Sequence, residues 1–153
     1  MGKKYTLLLN GKETGREILY ELFDKYNKMY FNGELGKCRF YWLISGSTYG
    51  KYNFETKKNG KIESRIGMSR NVRWTDETLR DVLVHEMIHM YVTTVEGKHF
   101  DGLLGHGRHF RKHMKRLNKT YGMNIMVYND LELIVDKPKD GLLGKIFIRL
   151  FDR

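Results

Sequence analysis

Two histidines stand four residues apart with a glutamate beside the first: His85-Glu86-Met87-Ile88-His89. No other feature constrains the fold of this chain so tightly. Residues four apart share one face of a helix, one turn above each other, so the spacing has chemical meaning only if the segment is helical. The flanking residues predict that it is. A helix starts near Thr75, with Asp76 and Glu77 in its first turn, where carboxylates oppose the positive end of the dipole. Leu79, Val82, Leu83, Met87 and Met90 then recur as on an amphipathic helix that runs to about residue 94.

Two imidazoles so placed can bind one Zn2+ at about 2.0–2.1 Å. Such an ion acidifies a water molecule and polarises a carbonyl, and Glu86 stands where its carboxylate can take the water's proton. By average composition the pattern arises by chance in roughly one chain of this length in a few hundred. A metal site therefore outweighs the alternative, a core histidine pair beside a surface glutamate.

A catalytic zinc takes three protein ligands and keeps one position open. The extended pattern HExxHxxGxxH is excluded, because Val92 and Val95 occupy its glycine and third histidine positions. Four histidines remain: His99, His106, His109 and His113. Glycines flank His106 on both sides, where they let the backbone turn sharply and approach closely. His99 lies in a loop, residues 95–104. His109 and His113 form an i, i+4 pair that reads as polar residues at the edge of a buried helix face. Tyr49, Tyr91 and Arg108 could each donate to a developing oxyanion, and the sequence does not choose among them.

The length, 153 residues, suits one domain with its own core, and 41% hydrophobic content fits a folded chain rather than a disordered one. The single cysteine, Cys38, excludes an internal disulfide and a CxxC-type zinc ribbon, and it suits a reducing compartment. No secretory leader is visible, and no stretch approaches the length of a membrane span. The expected location is cytoplasmic, or nucleoid or nuclear if the chain associates with DNA. Lys and Arg number 28 against 18 acids, a net +10 that favours a polyanionic partner, most simply nucleic acid. A helix predicted over residues 106–121 concentrates that charge. Arg108, Arg111, Lys112, Lys115, Arg116 and Lys119 follow one another with no acid between them, while Phe110, Met114, Leu117 and Tyr121 share the other side with His106.

The rest of the chain reads as helix and small sheet. Thr14 and Glu17 have capping-box form at the head of a helix over residues 14–30, and Asn32-Gly33 ends it. Strands are expected at 38–44, 47–54 and 61–69, with Asn59-Gly60 turning the last pair. A further strand is expected at 131–135, and an apolar-basic stretch lies at 142–151. The aromatics Tyr41, Trp42, Tyr49, Tyr52 and Trp74 read mainly as core.

The motif His85-Glu86-Met87-Ile88-His89, followed by Gly105-His106-Gly107-Arg108-His109-Phe110, resembles the HEMIH and GHGxxF signatures of the SprT-like (Spartan-type) zinc metallopeptidases. Residues 20–35 resemble that family's first helix with its aromatic-Asn-Gly ending, and Ile66-Gly67-Met68-Ser69 resembles the strand before its zinc helix. The resemblance covers about residues 14–121 and leaves 122–153 unplaced. It implies that His85, His89 and His106 bind zinc, that Glu86 is the catalytic base, and that proteins are cleaved, in some members proteins crosslinked to DNA. Several members carry a cysteine-rich zinc module after the protease core, which one cysteine cannot build. The resulting expectation is a single α+β, zincin-like domain: a small, mainly antiparallel sheet with helices, and HExxH on the central helix. Strand 62–69 is expected at the sheet edge, free to pair with an extended substrate. The alternative function is a basic nucleic-acid-binding module whose zinc site is structural or vestigial.

Overall fold

The structure is a computed structural model that describes residues 6–44 and 48–127. The strand expected at 131–135, the stretch at 142–151 and the first residue of the expected strand at 47–54 lie outside them.

Among the described residues, two three-stranded sheets and three α-helices form an α+β fold. The first sheet pairs β1 (Thr6–Leu9) with β2 (Lys12–Gly15) antiparallel and with β6 (Arg73–Trp74) parallel. Asn10 and Gly11 join β1 to β2 with φ of 51° and 78°, both left-handed, as a type I′ hairpin turn requires. Thr14 is therefore a strand residue whose hydroxyl bonds the Lys12 carbonyl, not a helix cap. Helix α1 spans Glu17–Tyr30, and its N-cap is Arg16, which makes no side-chain cap. Helix α1 turns one apolar face inward, with Leu19, Phe23, Tyr26 and Tyr30 buried. The Gly33 N–H returns to the Asn27 carbonyl at 2.9 Å and ends the helix. The Asn27 side chain then grips the Leu35 backbone at both N and O.

The second sheet orders β3 (Cys38–Leu43), β5 (Ile62–Ser69) and β4 (Gly50–Thr56) with β5 in the middle. The β4–β5 pair is the expected antiparallel hairpin around Asn59-Gly60, but β3 runs parallel to β5, so the sheet is mixed. This corrects the placing of 62–69 at the edge: both sides of β5 are paired. The outer side of β3 is occupied as well. The Phe40 N–H donates to the Tyr20 hydroxyl, and Arg16 donates to the Phe40 carbonyl. The outer edge of β4 has, among the described residues, no strand paired to it.

Helix α2, Asp76–Thr94, starts at Thr75 in a reciprocal capping box with Thr78. It differs from the amphipathic helix predicted. Every residue from 81 to 90 is buried, as in a helix covered on all sides. Strands β4 and β5 and helices α1 and α3 (Arg108–Tyr121) all pack on it. The motif thus lies on the central helix, with His85, Glu86 and His89 all buried.

Candidate metal centre

His85, Glu86 and His89 come from α2, and all three are buried. Among the four remaining histidines, the fold brings only His106 to them. The Nε2 atoms of His106 and His85 are 3.2 Å apart, and one ligand atom from each of His85, His89 and His106 lies within 4.8 Å of the others. Tetrahedral zinc with Zn–N bonds of about 2.0–2.1 Å has ligand–ligand edges of about 3.3–3.4 Å, close to the His106–His85 separation. Three neutral imidazoles are also a zinc donor set that leaves a fourth position open. The residues therefore fit the ion.

The other histidines are engaged elsewhere. His99 is exposed and its ring rests on Phe54, with centroids 5.2 Å apart. His109 Nδ1 and His113 Nε2 bond the two carboxylate oxygens of Glu96. Burial pushes the Glu96 carboxyl up, but the two histidines outweigh it and hold it below its ordinary value. Of the oxyanion donors considered, Tyr91 gives its hydroxyl to Glu34 at 2.9 Å and Tyr49 is core against Trp74. Arg108 is exposed at the head of α3. Burial pushes the Cys38 thiol up to about 12, so it stays protonated at neutral pH.

Close packing gives the glycines around the site specific tasks. A Cβ at Gly50 would lie 2.9 Å from Glu86 Oε1, so the bare backbone of β4 makes room for that carboxylate. A Cβ at Gly105 would press on the His89 ring at 3.0 Å, and its φ of 76° already favours glycine. A Cβ at Gly107 would meet the Asp101 carbonyl carbon at 2.6 Å. Gly105 and Gly107, read in the sequence as permitting a close turn, are therefore required by space on both sides of His106.

Three residues of the site went unread in the sequence. Phe110 lies against all three imidazoles, with ring centroids at 4.7, 4.6 and 4.8 Å from His85, His89 and His106. The family-like motif contains it, yet its helical spacing marked it only as core. Asp101 is buried, and its carboxylate accepts the N–H groups of His109 (3.1 Å) and Phe110 (2.7 Å). Its carbonyl accepts the Gly107 N–H at 2.6 Å. Asp101 thus caps α3 from six residues before that helix's N-cap and closes the loop that presents His106. Arg111, counted with the cationic arc, donates to the His106 carbonyl at 2.9 Å. Arg116 likewise bonds the Tyr30 carbonyl at the end of α1. The rest of the arc is Arg108, Lys112, Lys115 and Lys119, all exposed. At i, i+4, i+7 and i+11 they form one stripe, opposite the buried Phe110 and Leu117.

Comparison with known proteins agrees with this geometry. The SprT-like family model matches residues 19–129. The human DNA-dependent metalloprotease SPRTN is 31% identical over 120 residues, which is 78% of this chain and 24% of that protein. The SPRTN of Xenopus tropicalis is 30% identical over 117 residues, covering 76% of this chain and 26% of its own. The DNA-dependent metalloprotease dvc-1 of Caenorhabditis elegans is 27% identical over 114 residues, covering 72% and 30%. The match spans about a quarter to a third of the length of these relatives. Among the described residues no helix is long and apolar enough to cross a membrane.

Proposed function

The chain belongs to the SprT-like family, and on that footing we propose that it is a zinc-dependent endopeptidase acting on proteins bound or crosslinked to DNA. The observation that carries this reading is the cluster itself: three buried imidazoles from two segments converge beside a fully buried glutamate on the same helix. In this reading His85, His89 and His106 hold the zinc, which when bound supplies an acidified water and a polarising charge.

The chain's own residues do the rest. Glu86, one position along the helix from His85, accepts the water's proton and passes it to the leaving amine. Phe110 packs against the imidazoles and keeps that side of the cluster dry, which strengthens the electrostatics within it. The free edge of β4 receives an extended substrate by backbone pairing, because Gly50 brings that strand against Glu86. The stripe of Arg108, Lys112, Lys115 and Lys119 contacts phosphates without reading sequence. It places the protease where DNA-bound proteins are, in keeping with the DNA dependence in its relatives' names.

The test joins metal analysis to cleavage of an unfolded protein, with and without single-stranded DNA. About one zinc per chain is expected, with cleavage stimulated by DNA. Glu86→Gln should keep the zinc and lose cleavage, since its carboxylate acts on water rather than on the metal. A zinc-loaded Glu86→Gln protein with unchanged turnover would sink the mechanism, and a zinc-loaded wild type that binds DNA but cuts no more than Glu86→Gln would favour a nucleic-acid-binding module with a structural zinc.

A further inference from the structure

Two large apolar side chains stand in solvent on the loop that carries the third histidine. Phe100 is 97% exposed and Leu103 is 75% exposed. Their position ties them to the site at both ends. Leu103 belongs to the turn whose carbonyl accepts the His106 N–H at 3.1 Å. Phe100 directly follows His99, whose ring rests on Phe54 of β4. Phe54, itself exposed, stacks on Tyr52 of the same strand at 6.1 Å. The loop therefore stands beside the far end of β4, an outer strand of its sheet, and the near end of that strand, Gly50, packs on Glu86.

We infer that Phe54, Phe100 and Leu103 form an apolar ledge that grips the substrate polypeptide by an apolar side chain upstream of the scissile bond. The inference rests on the proposed protease reading and names the substrate feature that the site selects. The occupant follows from continuity with the strand edge. A segment that pairs along β4 with its scissile bond at Gly50 and Glu86 lies beside the ledge about four residues away, at Phe54, or about 13 Å at 3.3–3.4 Å per residue. Antiparallel pairing is the more stable per residue. Because β4 runs from Gly50 towards Phe54, an antiparallel substrate places its N-terminal side at the ledge. The ledge thus favours an apolar residue about three to five positions N-terminal to the cleaved bond. Such residues are buried in folded proteins and exposed in unfolded segments, so the ledge also favours unfolded substrates.

The experiment digests a reduced, alkylated, unfolded protein with the full zinc-loaded chain and maps every cut by mass spectrometry. Wild type, Phe100→Ser/Leu103→Ser and Glu86→Gln are compared. Both ledge substitutions are at exposed positions, and zinc content and melting temperature confirm that the variant is folded. Wild type should show apolar residues enriched three to five positions N-terminal to the cuts. The double variant should still cut but lose that enrichment, with KM raised about five- to tenfold on a peptide bearing the apolar residue and unchanged on one bearing serine there. If wild type cuts without the enrichment, or the double variant keeps it, the ledge inference is overturned while the protease reading stands. Enrichment on the C-terminal side overturns it equally. So does a wild-type dimer that the double variant breaks with its cleavage pattern intact, because the ledge then binds a second copy. If wild type cuts no more than Glu86→Gln, the protease reading and the ledge fall together.

Discussion

Replacing Asp101 with alanine should loosen the third metal ligand without touching any histidine. The Asp101 carboxylate accepts two N–H groups in the first turn of α3, from His109 at 3.1 Å and from Phe110 at 2.7 Å. Hydrogen bonds to a charged acceptor contribute about 1.5–3 kcal/mol each, whereas an N-cap replaced by alanine costs about 0.5–2 kcal/mol. The Phe110 N–H is buried and the His109 N–H is less so, so water replaces only one of the two bonds. A net loss of about 2–4 kcal/mol follows, or a melting temperature lower by roughly 6–12 °C in a chain of this size. The same loss frees the loop closed by the Gly107-to-Asp101 backbone bond, so His106 must be ordered by the metal itself. Supporting residues of this kind are worth about 10–100-fold in metal affinity, and about tenfold is expected because the contact is to backbone rather than to the imidazole. Chelator competition reads the affinity, and melting with and without zinc reads the stability. Asp101→Asn retains one acceptor oxygen and should fall between alanine and wild type in both. If Asp101→Ala melts with wild type and holds zinc equally well, the carboxylate neither caps α3 nor sets the loop. If asparagine is as damaging as alanine, hydrogen-bond acceptance is not what matters there.

The remaining predictions follow from the same contacts. His106→Ala should lose most of the zinc and His99→Ala should not, since His99 lies on Phe54 away from the cluster; an empty site in the His99 variant alone would reverse the assignment. Reversing Arg108, Lys112, Lys115 and Lys119 to Glu should weaken single-stranded DNA binding and shallow its salt slope by up to about three units, near 0.7 per phosphate contact. Zinc content should hold, whereas reversing Arg111 should also disturb zinc, because Arg111 holds the His106 carbonyl; identical titration curves for wild type and the four-site variant would make the stripe an ordinary solvated face. Glu96 is held below its ordinary carboxyl value by His113 and His109 against the effect of burial, so its contribution is complete above about pH 4.3 and is lost as pH falls through the lower folded value. Metal-free wild type should therefore melt above Glu96→Gln at pH 5–6 and converge with it as the pH falls below the ordinary carboxyl range; a constant gap throughout would show that Glu96 acts by packing alone.

Features written in neighbouring residues were legible in the chain by itself. Helix α2 begins just after Thr75, where the sequence placed its start, because the first-turn acids act on the helix end within one turn. The Asn59-Gly60 hairpin and the stop at Asn32-Gly33 followed from left-handed backbone that few other residues adopt. The HExxH triplet was legible for the same reason, since helix geometry alone brings its two histidines together. The Asn10-Gly11 turn carried an equally local signal that went unread, and so Thr14 was assigned to a helix instead of β2.

What lay beyond that range is the arrangement across segments. Four histidines remained as the third ligand by spacing alone; the flanking glycines favoured His106, but only the packing of the 101–107 loop on α2 explains why those glycines are needed. Strand 62–69 shows the alternation of any half-buried strand, and nothing within it records that β3 pairs on one side and β4 on the other. Arg111 and Arg116 look like their neighbours in a basic run, yet each is bound to a backbone carbonyl, Arg111 to one five residues back in the metal loop and Arg116 to one 86 residues away. Turns, caps and helix spacing are settled by dihedral preferences and hydrogen bonds within a few residues. Strand order, the choice among like side chains and the convergence of ligands depend on which surfaces exclude water together, and that is decided only when distant parts of the chain pack.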